Sequence, residues 1–207
     1  MNSVIVVARF NENLDWLLPA RNVIVYNKGA NDIDVPYIPL PNVGRESHSY
    51  VTFILDNWNN LPDVTMFIQG DIKDHSSGDP RSYIVDCIQQ AKVHGLSQNM
   101  HSIEFEKCIY NFGPEHCNNI VAPFKNMVLG QWINSIINVP HNCVGIKWYH
   151  GAIFAASRNA IRAVPMGKWM QIKQSLEYAN NPVTAHYFER SIYFIITWFM
   201  AQNHSML

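Results

Sequence analysis

A strand buried on both faces is predicted by the stretch Ser3-Val-Ile-Val-Val-Ala-Arg9. Its β-branched apolar residues follow one another without the polar alternation of a half-exposed strand. The stretches Asn22-Val-Ile-Val-Tyr26 and Asp63-Val-Thr-Met-Phe-Ile-Gln69 have the same character. Together these three segments predict the centre of one sheet, and that sheet decides the fold.

Helical spacing of apolar residues separates the predicted strands. Leu14, Leu17 and Leu18 predict a short helix after Asn11-Glu12-Asn13, and a second helix is predicted from Glu46 to Trp58. Strands that alternate with helices pair in parallel through right-handed crossovers. We therefore expect an α/β fold in which a central, mostly parallel mixed sheet is flanked by helices.

The remaining segments extend this scheme along the chain. Proline donates no ladder hydrogen bond, so Pro36–Pro41 is expected to be an edge strand or an extended segment. Val93–Ala122 has no regular pattern, and two short strands are predicted over Cys143–Trp148 and Ala152–Ala156. We expect one domain over residues 1–207. Its later helices are predicted over Arg81–Lys92, Phe124–Ile137, Arg158–Val164, Lys168–Tyr178 and Thr184–Gln202.

Charge is scarce and nearly balanced in this chain. Its 15 lysine and arginine residues and 16 aspartate and glutamate residues leave a formal net charge of −1, so no basic field is present to hold a nucleic-acid backbone. The opening residues do not fit a signal peptide, and the apolar run from Ile192 to Ala201 is about half of a membrane span. We therefore expect no nucleic-acid partner, no membrane span and a cytoplasmic location.

The four cysteines form no C-x-x-C pair and are expected to be free thiols.

The most polar loop follows the predicted strand that ends at Gln69. It contains Gly70-Asp71-Ile-Lys-Asp74-His75. Ligands bind at the carboxyl ends of the strands in open α/β sheets, and carboxylate oxygens with an imidazole suit Mg²⁺ or Mn²⁺ that bridges a diphosphate. Asp71, Asp74 and His75 are therefore candidate metal ligands. The alternative is an Asp-rich turn in which the carboxylates cap backbone N–H groups.

A candidate anion site precedes the second predicted helix. Asn42-Val-Gly-Arg-Glu46 places Gly44 and Arg45 at the helix N-terminus, where free N–H groups and the helix dipole favour an anion. Arg45 can add a bidentate contact to a phosphate group. The alternative is structural: Asn42 or Gly44 sets the turn, and Glu46 complements the dipole.

Aromatic and acidic residues in the second half of the chain supply further candidates. Trp148 and Tyr149 have aromatic faces that suit the C–H surfaces of sugars, although core packing is the commoner role of such residues. His150, before the flexible Gly151, could bind a metal or the leaving phosphates. Glu189 lies beside an arginine in a predicted helix, which indicates either an ion pair or a catalytic carboxylate.

These motifs, in this order, resemble the small GT-A-type glycosyltransferases, and closely the glycosyltransferase domain of chlorella viruses. The resemblance covers most of the chain. It implies a nucleotide-sugar-binding fold with UDP at the first strands and a divalent metal, commonly Mn²⁺, at an acidic D-x-D motif. The matching stretches are Val6-Val-Ala-Arg-Phe-Asn-Glu12 with Asp15-Trp-Leu17, Tyr26-Asn-Lys-Gly29, Asn42-Val-Gly-Arg-Glu46, Phe67-Ile-Gln-Gly-Asp71 with Asp74-His75, and Gly151-Ala-Ile-Phe154.

The resemblance also implies roles for particular residues. It places Ala8, Arg9, Asn11, Tyr26 and Asn27 in a uridine pocket, Arg45 at the donor and Asp71 at the metal. With the patterns above, residues 1–80 are expected to bind the nucleotide and residues 81–207 the acceptor, in a domain that can be part of a longer polypeptide. The full expected set is Arg45, His150 and Glu189 for catalysis, Asn42, Gly44, Gln69 and Gly70 as further donor contacts, Trp148, Tyr149 and Gly151 for the acceptor, and Asp71, Asp74 and His75 for the metal.

The function predicted from these observations is a metal-dependent glycosyltransferase. It would move a hexose or 6-deoxyhexose from a UDP-sugar to a glycan or glycoprotein hydroxyl, in the synthesis of a viral capsid glycan in the host cytoplasm. Gln69-Gly70-Asp71 lacks the first acid of the D-x-D motif, so the alternative is a non-catalytic nucleotide- or sugar-binding module. Rossmann, P-loop and hydrolase-elbow motifs are absent, and Arg9-Phe-Asn-Glu12 lacks the Gly-rich loop of a nucleotidyltransferase.

Overall fold

A five-stranded, mostly parallel mixed sheet forms the centre of the molecule. The computed structural model describes residues 2–17, 20–73, 76, 78–97, 107–109, 127–138, 145–147 and 152–204. Helices cover both faces of the sheet, which confirms the predicted α/β class and the single domain.

The central strands pair in the order β3-β2-β1-β4-β7. The first four strands are parallel, and the last pairs antiparallel with β4. A separate two-stranded sheet consists of β5 and β6. The bounds are β1 Ser3–Arg9, β2 Val23–Asn27, β3 Tyr37–Pro39, β4 Val64–Gln69, β5 Lys107–Ile109, β6 Gly145–Lys147 and β7 Phe154–Ser157.

The helices form two unequal layers. Side chains of β1 alternate between them, so that Val6 faces the larger helical layer and Val7 the smaller one. The smaller layer contains α2 Pro80–His94, whose N-terminus is capped by the Asp79 carboxylate. The larger layer contains α1 Arg45–Asp56, α3 Leu129–Ile136, α4 Arg158–Ala163, α5 Met166–Leu176 and α6 Val183–His204.

Aromatic side chains hold α1 against the sheet. Phe67 of β4 packs on Tyr50 of α1 with ring centroids 5.2 Å apart, and on Phe154 of β7 at 4.9 Å. All three are buried, and such pairs stabilise by about 0.5–1.5 kcal/mol beyond the area that they bury. The position of α1 is therefore fixed by the core.

Three sequence-based expectations need correction. The short helix predicted around Leu14 and Leu17 is a turn at residues 15–17, because the Asn13 side chain accepts the N–H of Asp15 at 2.6 Å and favours a local turn over a helix. Within Val93–Ala122, where no regular structure was expected, β5 forms a short strand. The helix expected from Phe124 begins at Leu129, because Val128 is extended.

Two other expectations are met, for the edge strand and for one cysteine. Tyr37–Pro39 is an edge strand, as the prolines predict. Cys87 is a buried free thiol. None of the helices in the described part of the chain is long and apolar enough to cross a membrane.

Replacement of Gly44 should lower the stability of the protein. Its φ is +62°, and an added Cβ would lie 2.8 Å from the Cβ atoms of His48 and Leu176. We expect Gly44→Ala to lower the free energy of unfolding by about 2–4 kcal/mol, from the left-handed backbone and the overlap together. Urea denaturation measures the loss.

Gly78→Ala is the matched control for this substitution. Gly78 also has a positive φ, +92°, but within the described part of the chain nothing lies within 4 Å of an added Cβ. Only the backbone cost, about 1 kcal/mol, should remain. Equal losses in the two variants would contradict the packing argument.

Candidate functional site

A cleft of about 280 Å³ opens at the carboxyl edge of the sheet. It lies where β1, β2 and β4 end, the position at which ligands bind in open α/β sheets. The N-terminus of α1 and the connection between α5 and α6 complete its walls. The polar lining consists of the amides of Asn42, Gln69 and Asn180, the carboxyl groups of Glu12 and Glu46, and the basic groups of Arg9, Lys28 and Arg45.

Half of the predicted donor-binding residues line this cleft. They are Ala8, Arg9, Asn42, Arg45 and Gln69. Tyr26 does not, contrary to expectation, because it is packed in the core with 1% of its surface exposed. Burial and the charge of Asp56 raise the pKa of Tyr26 to about 12, so this hydroxyl stays neutral and serves the core.

The start of α1 is held by the connection between α5 and α6. The N–H of Gly44 donates to the Ala179 carbonyl at 2.8 Å, and the N–H of Arg45 donates to the Asn180 carbonyl at 3.3 Å. These N–H groups were expected to be open to an anion, and they are not. The basic side chain of Arg45, which is 40% exposed, is therefore the part of this helix start that can meet a ligand.

Lys28 fastens the end of β2 to the start of α1. Its Nζ donates to the Val43 carbonyl at 2.5 Å and also to the Arg45 carbonyl. Burial lowers the pKa of Lys28 to about 7, while the nearby Glu46 opposes the shift. Near neutral pH the amine is thus poised between its charged and neutral forms, unlike an ordinary surface lysine.

Glu46 is the buried acid of the cleft. Its side chain is 9% exposed, and its Oε2 lies 3.4 Å from Nε of Arg45. Burial raises the pKa of Glu46, Arg45 opposes this shift, and Glu189 reinforces it. Tyr50 lies in the same region, and its pKa is raised well above the ordinary value by burial and then by Glu46, Glu189 and Glu12. Both groups are therefore shifted toward their neutral forms.

The guanidinium of Arg9 donates four hydrogen bonds to the loops after β1 and β2. It donates to the carbonyl oxygens of Glu12 at 2.8 Å and Ala30 at 2.9 Å, to Oδ1 of Asn27 at 2.9 Å, and to Oδ1 of Asp32 at 2.6 Å. Arg9 is 2% exposed. Arg9 and Asn27 were predicted to contact uridine, and their main contacts are with each other and with these turns.

A second cavity of about 390 Å³ lies on the other side of Arg9. Asn11, another predicted uridine contact, lines this second cavity rather than the cleft, and its Oδ1 accepts the N–H of Ala30 at 3.0 Å. Asp32 and Asp34 lie in the same wall. Arg9 thus separates two polar cavities along the carboxyl ends of β1 and β2.

Gly70 allows β4 to approach the loop after β1. An added Cβ at Gly70 would lie 2.7 Å from Oε2 of Glu12, and that Oε2 accepts the N–H groups of Phe10 and Asn11 at 2.7 and 3.2 Å. The Gly70 carbonyl accepts the indole N–H of Trp16 at 2.9 Å. Gly70, predicted as a donor contact, is required here for close packing.

Only part of the expected metal site can be located. Asp71 is exposed two residues beyond Gln69, and its Oδ1 accepts the N–H of Lys73 at 3.0 Å, as in the alternative of a capped turn. Asp74 and His75 lie outside the described residues. Among the residues that are described, no three acidic, histidine or cysteine side chains are grouped to hold a metal ion.

Glu189 lies at a third, smaller pocket and pairs with its neighbour Arg190. Its Oε2 is 3.5 Å from Nη1 of Arg190, the ion pair that the sequence allowed. The pocket is mainly apolar, with Phe154, Ile192 and Tyr193 among its walls. The candidates Trp148, Tyr149, His150 and Gly151 lie outside the described residues.

Sequence reasoning overlooked Lys28, Glu12 and Asn180. Lys28 directly follows β2 and Glu12 lies three residues after β1, so the rule that ligands bind at the carboxyl ends of strands could have flagged them. Phe10, which is 48% exposed beside Arg9, could have been flagged in the same way. Asn180 precedes α6 and reaches the cleft only through tertiary packing, and no local pattern indicates it.

Comparison with known proteins gives a family. The chain belongs to the family described as protein of unknown function (DUF3431), whose model matches residues 4–204. No curated protein and no solved structure matches the chain.

Acid should destabilise the protein through His48. This α1 residue is buried beside Glu177, and burial lowers its pKa from 6.5 to about 4, with Lys28 and Lys173 contributing and Glu177 opposing. The folded state therefore binds fewer protons than the unfolded state between these values, so stability is lost as the pH falls from about 6.5 to about 4. Thermal unfolding should show a falling Tm across this range.

His48→Gln tests the assignment of this effect to His48. Glutamine keeps a polar side chain but does not titrate. The Tm of the variant should therefore fall less than that of the wild-type protein over the same pH range. Identical slopes for the variant and the wild-type protein would assign the acid sensitivity to other groups.

Proposed function

We propose that this DUF3431 protein is a glycosyltransferase that moves a hexose or 6-deoxyhexose from a UDP-sugar to a hydroxyl group of a glycan or glycoprotein. The observation that carries the proposal is the cleft at the ends of β1, β2 and β4, in which three basic groups, two carboxyl groups and three amides meet. This is the edge of an α/β sheet at which nucleotides bind. The resemblance to GT-A-type enzymes agrees with that position.

Arg45 and Lys28 supply the affinity for a diphosphate. Arg45 is partly exposed, and a guanidinium can bind phosphate oxygens in bidentate fashion. Lys28 lines the same cleft and gains charge when an anion approaches, because a negative group raises the pKa of an amine. Both would neutralise charge on the departing UDP.

The remaining lining suits a nucleoside and a sugar. Amides of Asn42, Gln69 and Asn180 offer both donors and acceptors to hydroxyl groups. The exposed ring of Phe10 can stack on a base or a sugar face. Arg9 borders both the cleft and the cavity of about 390 Å³.

Asp71 is the described residue that fits a divalent metal. It presents a hard, exposed carboxylate just beyond β4, and Mn²⁺ or Mg²⁺ bound there, with Asp74 and His75, would neutralise the diphosphate. The protein's own groups would then position the donor. Glu189 and His150 remain the proposed catalytic groups. Trp148, Tyr149 and Gly151 are the proposed contacts to the acceptor. The proposed setting is the synthesis of a viral capsid glycan in the host cytoplasm.

Calorimetric titration with UDP tests the proposal. With Mn²⁺ present, wild-type protein should bind UDP, and Arg45→Gln should weaken binding by about 10- to 100-fold, the effect of losing a charged hydrogen bond. Asp71→Ala should weaken binding only when Mn²⁺ is present. Arg21→Gln, an exposed arginine near the opposite end of β2, is the matched control and should bind like wild type.

Failure would be clear in these titrations. Absence of UDP binding, or an equal effect of Arg45→Gln and Arg21→Gln, would contradict the proposal. Release of UDP from a UDP-sugar on addition of acceptor then separates an enzyme from a binding protein.

A second candidate is a non-catalytic nucleotide- or sugar-binding module. It is favoured by Gln69-Gly70-Asp71, which lacks the first acid, and by the Asp71 oxygen that already accepts a backbone N–H. This candidate predicts UDP affinity that is independent of Mn²⁺ and no release of UDP from any UDP-sugar.

Binding should also be linked to protonation of Lys28. With a pKa of about 7, Lys28 is mostly neutral at pH 8, and a bound diphosphate favours its charged form. UDP binding at pH 8 should therefore take up protons, and affinity should fall as the pH rises from about 7. Titrations in two buffers of different ionisation enthalpy measure the uptake, and Lys28→Met should reduce it.

A further inference from the structure

Glu12 brings an accessible carboxylate oxygen to the cleft. Its Oε2 accepts the N–H groups of Phe10 and Asn11 at 2.7 and 3.2 Å, whereas Oε1 accepts no hydrogen bond within the described part of the chain. Oε1 does not belong to the described side-chain oxygens that are both buried and unpartnered. Because Glu12 lines the cleft, this oxygen is an acceptor that a ligand can reach.

The loop after β1 holds the carboxylate in one place. Gly70, which follows β4, leaves the room that the carboxyl group occupies, since an added Cβ there would lie 2.7 Å from Oε2 and 3.0 Å from Cδ of Glu12. The loop itself is held through the Glu12 carbonyl, which accepts the Nε–H group of Arg9 at 2.8 Å. A side chain that is anchored through one oxygen loses little freedom when its other oxygen binds a ligand.

Closing the loop accounts for Oε2 of Glu12 alone. A neutral amide oxygen can accept backbone N–H groups in the same way, as that of Asn13 does for Asp15 at 2.6 Å. A glutamate adds a negative charge and a second acceptor at the wall of the cleft. Both additions favour a ligand that offers hydrogen-bond donors.

An exposed aromatic ring accompanies this carboxylate. Phe10 lines the same cleft and is 48% exposed, although most phenylalanine side chains are buried. Its N–H group is one of the two that hold Glu12, so the ring and the carboxylate belong to one anchored loop. A flat apolar face beside a hydrogen-bond acceptor suits a nucleoside, which joins a planar base to a ribose with hydroxyl donors.

The charges of the cleft indicate which part of a nucleotide lies at Glu12. An ionised carboxylate repels a diphosphate, and it accepts hydrogen bonds without donating any. The basic groups of Arg45 and Lys28 lie at the start of α1 and just after β2, and they attract the diphosphate. The uncharged nucleoside is then the part of the ligand that meets Glu12 and Phe10.

We propose that Oε1 of Glu12 accepts a hydrogen bond from a ribose hydroxyl group of the bound nucleotide, while the ring of Phe10 packs against the base. Glu12 is then a specificity residue, because it selects a nucleotide whose ribose keeps that hydroxyl group. This inference rests on the proposed function, since it assigns the nucleoside position within the same cleft.

Deoxy analogues of UDP test this assignment. With Mn²⁺ present, UDP, 2′-deoxy-UDP and 3′-deoxy-UDP are titrated into wild-type protein, Glu12→Gln and the control Asp86→Asn, which changes an exposed acid of α2. Wild type should bind UDP about tenfold more tightly than at least one analogue, the effect of one hydrogen bond to a charged group. Asp86→Asn should keep this ratio. Weaker binding of 2′-deoxy-UDP would identify the 2′-hydroxyl group and disfavour deoxyribonucleotide sugars as donors.

Glu12→Gln separates ribose recognition from support of the loop. The amide oxygen of glutamine can still accept the N–H groups of Phe10 and Asn11, while an NH₂ group takes the place of the accepting Oε1. The preference for UDP over the analogue should therefore fall to about threefold or less. The Tm of the variant should stay close to that of wild type.

The ratios decide the matter because a general loss of affinity cancels in them. Equal binding of UDP and both analogues by wild type would overturn the inference, and so would a full wild-type ratio in Glu12→Gln. Absence of UDP binding to wild type would instead overturn the proposed function.

Discussion

The candidate site depends on one buried guanidinium. Arg9 ends β1 and donates four hydrogen bonds, to the loop that follows it and to the turn after β2. A buried charge is costly unless its partners are complete, and here the partners are three neutral oxygens and the Asp32 carboxylate. Those bonds fix the two loops relative to each other. Removing Arg9 would leave these acceptors unsatisfied and would release both cavities that the loops line.

Burial also determines the charge of the groups that remain for a ligand. Lys28 and Glu46 lie in the same wall, and desolvation shifts both toward their neutral forms. Arg45 keeps its charge because a guanidinium is not deprotonated in proteins. The cleft therefore holds one partly exposed permanent positive charge, that of Arg45, beside two groups whose pKa values are shifted toward the neutral form.

The sequence predicts the sheet better than it predicts the site. Continuous β-branched runs mark β1, β2 and β4 because strands covered on both faces need apolar residues throughout. The position of the cleft follows from the carboxyl-edge rule. The chemistry of the cleft does not follow from that rule. Asn180 and the carbonyl group that accepts the N–H of Gly44 lie in the connection between α5 and α6, far from β1 and β2 in the sequence. Asn13 shows the limit of periodicity, because one side-chain hydrogen bond replaced the expected helix with a turn.

The backbone conformation at the start of α1 indicates that the side chain of Arg45 has a functional role. Gly44 and Arg45 both have positive φ, +62° and +48°. For arginine this conformation costs about 1–2 kcal/mol, and such strain persists where the surrounding structure imposes it, often at functional sites. Carbonyl groups on both sides impose it here: those of Ala179 and Asn180 accept the two N–H groups, and that of Arg45 is held by Lys28. Glycine or asparagine at position 45 would adopt the same positive φ with less strain. Retaining arginine in a strained position at the mouth of a cleft is explained if its charge is needed there.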